Sequence, residues 1–257
     1  MLSATPGARA GLSKVPQVTL FFWLIKMMST TVGETAADFL NFNLGFGLSL
    51  TSLFAGMLLV VVLWLQMRAS RYIPALYWLT VVLVSLFGTL LTDNFTDSLG
   101  IPLGYSTIMF GSALILTFML WHRSEGTLSI HSITTLPREI FYWAAILFTF
   151  ALGTAAGDWL SEGMNLGYLL SALVFAGGIV VVAFGWRVCH FNAIACFWIA
   201  YILTRPLGAS CGDLLAQPTD NGGFGIGIVE INTLFLVAIA GLVGYLSLVE
   251  KPRHSAE

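Results

Sequence analysis

Apolar residues gather along this chain into eight blocks, at approximately 17–40, 44–67, 73–98, 102–121, 139–161, 165–187, 190–216 and 225–248. A helix that crosses a bilayer needs about 20 mostly apolar residues. Each block therefore predicts one transmembrane α-helix. The links "NFN" (41–43) and "GIP" (100–102) are so short that helices 1–2 and 3–4 are expected to form tight hairpins. The last link, "QPTDNGGFG", is longer and carries the turn formers Pro218, Asn221 and Gly222. The expected class is an all-α integral membrane protein. It would have an N-terminal cytoplasmic segment at 1–15, one transmembrane domain at 16–250 and a cytoplasmic tail at 251–257.

The polar residues inside the blocks repeat. "TVGETAADFLNFNLGFG" aligns without a gap on "LLTDNFTDSLGIPLGYS", placing Glu34 over Asp93, Asp38 over Asp97 and Gly45 over Gly104. A third copy, "LGTAAGDWLSEGMNLGYL", centres on Asp158, and a fourth, "RPLGASCGDLLAQPTDNGGFG", on Asp213. On this alignment the aspartates are 59, 61 and 55 residues apart. Four two-helix units, at about 16–68, 73–122, 139–187 and 190–249, would then share one orientation and carry their aspartates at one depth. The acid four residues before the aspartate is replaced by Thr154 and Ala209 in the last two copies. That divergence favours an asymmetric site over a symmetric ring. Internal repeats are frequent in transporters, whose sites lie at repeat interfaces beside broken helices.

Composition agrees with a membrane protein: 57% hydrophobic and 9% charged residues, where soluble domains carry about 25% charged. The net charge of −2 offers no basic surface for nucleic acid. The segment before Pro16 lacks the apolar core of a cleaved signal peptide. Cys189, Cys196 and Cys211, odd in number and without CxxC spacing, read as small buried residues. Arg9, Lys14, Arg68, Arg71, Arg123, Arg138, Arg187, Lys251 and Arg253 all fall at the ends or in alternate loops. By the positive-inside rule both termini and the loop containing His122 and His131 face the cytoplasm. The Trp residues of "FFW", "LYW" and "FYW" read as interfacial anchors.

Two basic residues, Lys26 and Arg205, and six motif acids, Glu34, Asp38, Asp93, Asp97, Asp158 and Asp213, lie within the blocks. A charge at mid-membrane costs about 2.5–3.5 kcal/mol, so these acids must be paired, protonated, hydrated or coordinated. Acids four residues apart share a helix face and repel, and both approach the negative end of the helix dipole. A cation relieves both penalties. Gly33, Gly157, Gly208, Gly212 and Pro206 are expected to break helices and free carbonyls as ligands. Carboxylate, hydroxyl, amide and carbonyl oxygens suit Mg, Ca or Mn. The six acids are thus the candidate metal ligands, with Lys26 and Arg205 as internal countercharges. Glu230 beside Asn232 is a further candidate for the same pocket.

Other chemistries fit poorly. "AAGD" and "SCGD" miss the Gly-x-Gly-Asp of an intramembrane aspartyl protease, and no histidine falls near the aspartates. A retinal lysine would lie in the last helices, whereas Lys26 is in the first. At "KMMSTTVGETAADFL" and "TRPLGASCGDLL" the chain resembles a bacterial family of polytopic membrane proteins built from a "repeat of unknown function". The resemblance spans residues 14 to 250 and implies a multi-pass protein of the bacterial cytoplasmic membrane. The expected function is a secondary transporter, an exporter coupled to protons, for a hard divalent cation such as manganese or magnesium. No enzymatic activity and no cofactor are expected, the cation being the substrate. Lipid, the cation and protons are the partners. A membrane enzyme or small-molecule-binding protein using the acidic cluster, and a scaffold without transport, remain the alternatives.

Overall fold

The computed structural model describes residues 13–250; Arg9, Lys251 and Arg253 lie outside the described residues. Eight helices follow one another: α1 (Leu20–Asp38), α2 (Gly47–Arg68), α3 (Pro74–Asp93), α4 (Leu103–Glu125), α5 (Leu136–Asp158), α6 (Tyr168–Arg187), α7 (Ala193–Ala216) and α8 (Ile228–Glu250). Thr19 caps α1 and Asn192 caps α7 through side-chain oxygens, while Pro74 and Pro137 sit in the first turns of α3 and α5. There Ser, Thr and Asn satisfy free N–H groups and proline loses nothing. All but α1 are long and apolar enough to cross a membrane. α1 carries Lys26, Glu34 and Asp38, and it is walled in by α3, α7 and α8. The protein is an all-α, multi-pass integral membrane protein.

The odd-numbered helices form a closed inner ring, in which α1 packs on α3, α3 on α5, α5 on α7 and α7 on α1. The even-numbered helices stand outside it. Within the apolar stretches of α3, α5 and α7, 61%, 61% and 50% of residues are buried, against 22%, 22%, 17% and 17% for α2, α4, α6 and α8. The outer helices are apolar all round because lipid is as apolar as a protein core. The expected hairpins are not packing units. α2 packs mainly on α3, α4 on α5, α6 on α7 and α8 on α1, so each outer helix covers the next repeat's inner helix.

The structure also resets the repeat register. α1, α3 and α5 end at Asp38, Asp93 and Asp158, and each runs into a single π-helical turn, at Phe39–Asn43, Asn94–Ser98 and Trp159–Gly163. Matching N–H to carbonyl bonds close these turns, from Leu44 to Phe39, Leu99 to Asn94 and Met164 to Trp159. Gly45, Gly100 and Asn165 then take positive φ of 68°, 66° and 55°. Asp93, not Asp97, is therefore the counterpart of Asp38, and the gapless alignment is four residues out of step.

In this register one glycine per repeat marks a helix crossing. A Cβ on Gly33 would lie 2.5 Å from Ser85 Cβ, on Gly88 2.7 Å from Phe150 Cβ, on Gly153 2.6 Å from Arg205 Cβ, and on Gly208 2.5 Å from Thr30 Cβ. Each glycine meets the same position of the next repeat, and the fourth closes on the first. Small residues let inner-helix backbones approach closely. The glycines expected to break helices do not: α1 and α7 are continuous, and Pro206 lies inside α7. Gly153→Ala should cost about 1–3 kcal/mol through overpacking, because it strikes the stem of Arg205. Thermal unfolding in detergent checks this, with Gly177→Ala, which meets nothing within 4 Å, as the control.

The tryptophans also depart from expectation. Trp78, Trp143 and Trp198 occupy one position of successive repeats and are buried in the core, not set at a lipid interface. Cys189 is exposed rather than buried, while Cys196 is buried and Cys211 half-buried.

Candidate functional site

Four aspartates, Asp38, Asp93, Asp158 and Asp213, occupy equivalent positions near the same ends of α1, α3, α5 and α7. Adjacent members interact electrostatically all the way round: Asp93 with Asp38, Asp158 with Asp93 and Asp213, and Asp213 with Asp38. Glu34 acts on all four. Asp213 is buried and the other three are half-buried. Among the described residues no three carboxylate, imidazole or thiol side chains approach closely enough to hold a metal ion together. The carboxylates thus form an open ring rather than a closed chelate.

Asp97 stands one turn beyond Asp93 and is exposed, accepting a 3.0 Å hydrogen bond from Thr96. Its counterpart is Glu162, four residues after Asp158, which accepts a 3.0 Å bond from the Tyr168 hydroxyl. Glu162 acts electrostatically on Asp38, Asp158 and Asp213. In the gapless register the second acid lies four residues before the aspartate, which hides Glu162 four residues after Asp158. Glu230 is exposed, while Asn232 accepts a 2.9 Å bond from Thr35.

One turn below the aspartates, the interior is closed by Arg205, whose side chain is fully buried. Its Nη1 donates to the Thr30 carbonyl at 2.9 Å. Its Nη2 donates to Glu34 Oε2 at 2.8 Å, to Thr154 Oγ1 at 2.6 Å and to Thr89 Oγ1. Thr89 also donates to Glu34 Oε2 at 3.2 Å. Glu34, Thr89 and Thr154 are the same position of repeats one, two and three. A single guanidinium from repeat four therefore joins all four inner helices. Of the six motif acids, the fold gives this countercharge Glu34 as its ion-pair partner. The fork of N–H groups makes such multiple engagement possible.

Deeper still lies Lys26, also fully buried. Its ammonium donates to the Tyr201 carbonyl at 3.0 Å and to Thr204 Oγ1. It stands 4.0 Å from the Tyr201 ring centroid and 5.4 Å from that of Phe150, which Arg205 approaches to 5.5 Å. Among the described residues Lys26 has no carboxylate within salt-bridge distance. Oxygen dipoles and aromatic faces hold the charge instead.

From the ring inward the inner bundle thus carries carboxyl groups, then the basic side chains of Arg205 and Lys26, then aromatic rings. Carboxyl groups from all four repeats stand about one turn from a buried guanidinium that is paired with Glu34.

Neither a curated protein nor a solved structure matches this chain. The family model described as Repeat of Unknown Function (DUF347) matches four times, at residues 21–72, 76–127, 141–190 and 196–252. The four matches begin 55, 65 and 55 residues apart, the spacing of Asp38, Asp93, Asp158 and Asp213 and of the four crossing glycines. With the repeats covering most of its length and stacked in this register, the chain belongs to the family of the Repeat of Unknown Function (DUF347).

Proposed function

We propose that the protein is a secondary transporter, an exporter coupled to protons, for a hard divalent cation such as manganese or magnesium, and that it works in the bacterial cytoplasmic membrane with both termini inside. The observation that carries this reading is the ring of four aspartates, one from each repeat, set at one level above Glu34 and Arg205. Carboxylates that repel one another favour a cation or shared protons. An open ring of oxygens suits an ion that keeps part of its water, as magnesium does.

Metal binding would draw Glu34 toward the cation and loosen its hold on Arg205. Displacement of Arg205 from the axis then opens the way inward. Two protons taken up by the acids in place of one divalent ion keep the exchange electroneutral. The basic residues of the loops support this orientation, with the aspartate ring toward the outer side.

Proton release on addition of Mn²⁺ or Mg²⁺ to the purified protein tests the reading. About two protons should leave per ion bound at neutral pH, and thermal stability should rise with ion concentration. Growth of cells lacking or overproducing the protein, across a panel of metals, tests the direction. Absence of proton release and of any metal-dependent growth change would overturn transport.

A further inference from the structure

Below Lys26 the inner bundle is rich in hydroxyl groups that ion binding at the aspartates does not use. Tyr77 of α3 and Tyr142 of α5 share a 2.5 Å hydrogen bond. Tyr201 of α7, whose carbonyl holds Lys26, interacts electrostatically with both. All three side chains are buried. One turn before Tyr142, the buried Glu139 interacts with it electrostatically and accepts a 2.7 Å ion pair from Lys14. Lys14 also donates to the Met67 carbonyl at 2.9 Å. Glu139 and Asp158 stand at opposite ends of α5, about 28 Å apart at 1.5 Å per residue, which is close to the hydrocarbon thickness of a bilayer.

Three polar atoms in this layer have no hydrogen-bond partner among the described residues although they are buried: Tyr201 Oη, Trp78 Nε1 and Trp143 Nε1. The Trp78 and Trp143 rings lie 5.1 and 5.5 Å from that of Tyr77, so the orphans surround the tyrosine pair. An unpaired buried polar group costs about 1–3 kcal/mol, and internal water is the usual remedy. We infer that the aromatic layer binds a cluster of internal water, and that this water with Tyr201, Tyr142 and Tyr77 forms a proton relay between Lys26 and Glu139. A proton leaving the Lys26 ammonium passes to water. Each hydroxyl accepts one proton and releases another, and the last reaches a Glu139 carboxylate. The net change is a neutral amine and a carboxylic acid. Lys26 faces Tyr201, Thr204 and Arg205 from α7 and Phe150 from α5, and among the described residues no carboxylate lies within salt-bridge distance of it. The water site stands by itself; its role in transport rests on the proton-coupled reading above.

Radiolytic labelling of the purified full-length protein in H₂¹⁸O tests the water. After correction for intrinsic reactivity, Tyr77, Tyr142 and Tyr201 should take up oxygen at least tenfold faster than the equally buried Phe22 and Phe150. Labelling no faster than those phenylalanines would overturn the site. The relay is tested in vesicles loaded with a pH-sensitive dye and a Mn²⁺ indicator, then given a Mn²⁺ gradient. The Tyr77→Phe/Tyr142→Phe variant should lose at least tenfold of the proton movement of the wild type while binding Mn²⁺ unchanged. Full proton movement in that variant, or Mn²⁺ movement without protons in the wild type, would overturn the relay and leave ion transport standing. Labelled tyrosines with no Mn²⁺ movement at all would keep the water site and remove transport.

Discussion

Arg205→Leu is expected to lower unfolding stability by about 3–5 kcal/mol, the cost of stranding one partner of a buried ion pair. The loss should exceed that of a routine core truncation because several groups are orphaned at once. Glu34 loses its only ion pair among the described residues, and the Thr30 carbonyl, Thr89 and Thr154 lose their donor. Adding Glu34→Leu should recover a substantial part of the loss, because removing both charges of a buried pair is often neutral or better. Arg205→Lys should not rescue, since an ammonium lacks the planar fork that reaches three helices at once. Denaturant or thermal unfolding in detergent gives all four values. If Arg205→Leu were as stable as the wild type, the guanidinium would not be the tie between repeats.

The second large effect concerns the acid ring. Asp213→Asn should weaken Mn²⁺ binding by at least tenfold, measured by calorimetry on the purified protein, and Asp158→Asn should behave alike. At an effective dielectric constant of about 20, one unit charge at 4 Å is worth about 4 kcal/mol. A divalent ion feels each carboxylate twice as strongly, and even at a greater separation more than 1.4 kcal/mol, a factor of ten, is lost. Glu230→Gln, exposed on α8, should leave affinity unchanged. Equal affinity in all four single aspartate variants would separate the ring from ion binding altogether.

Much of this was legible in the chain. Eight apolar blocks gave eight helices because a bilayer permits only spanning structures that satisfy their own backbone. Four aspartates at one depth followed from two helices per repeat. The register did not follow. Matching Glu34 to Asp93 gained an acid-on-acid pair, whereas the π-helical turns and the crossing glycines show Asp38, Asp93 and Asp158 to be equivalent. A recurring glycine five residues before each aspartate was available as a signal, and so was the Trp of "FFW", "LYW", "FYW" and "CFW". Both keep the period of Asp38, Asp93, Asp158 and Asp213, which the match of Glu34 to Asp93 hides.

The partners of the buried cations were beyond sequence reasoning for a plain reason. Spacing along a helix ranks neighbours on the same helix and does not say which side chains meet between helices. In the bundle these side chains cross between helices that lie far apart in sequence, and Arg205 reaches Glu34 from 171 positions away. The sequence by itself determined the number of helices, the membrane environment, the fourfold repeat and the acids as the chemistry to explain. Tertiary structure alone decided that the odd helices close into a ring, that three repeats offer one position to a single guanidinium, and that Lys26 lies among oxygens and rings. Burial and periodicity are local properties that lipid imposes on every segment separately, whereas a ring exists only where four segments meet.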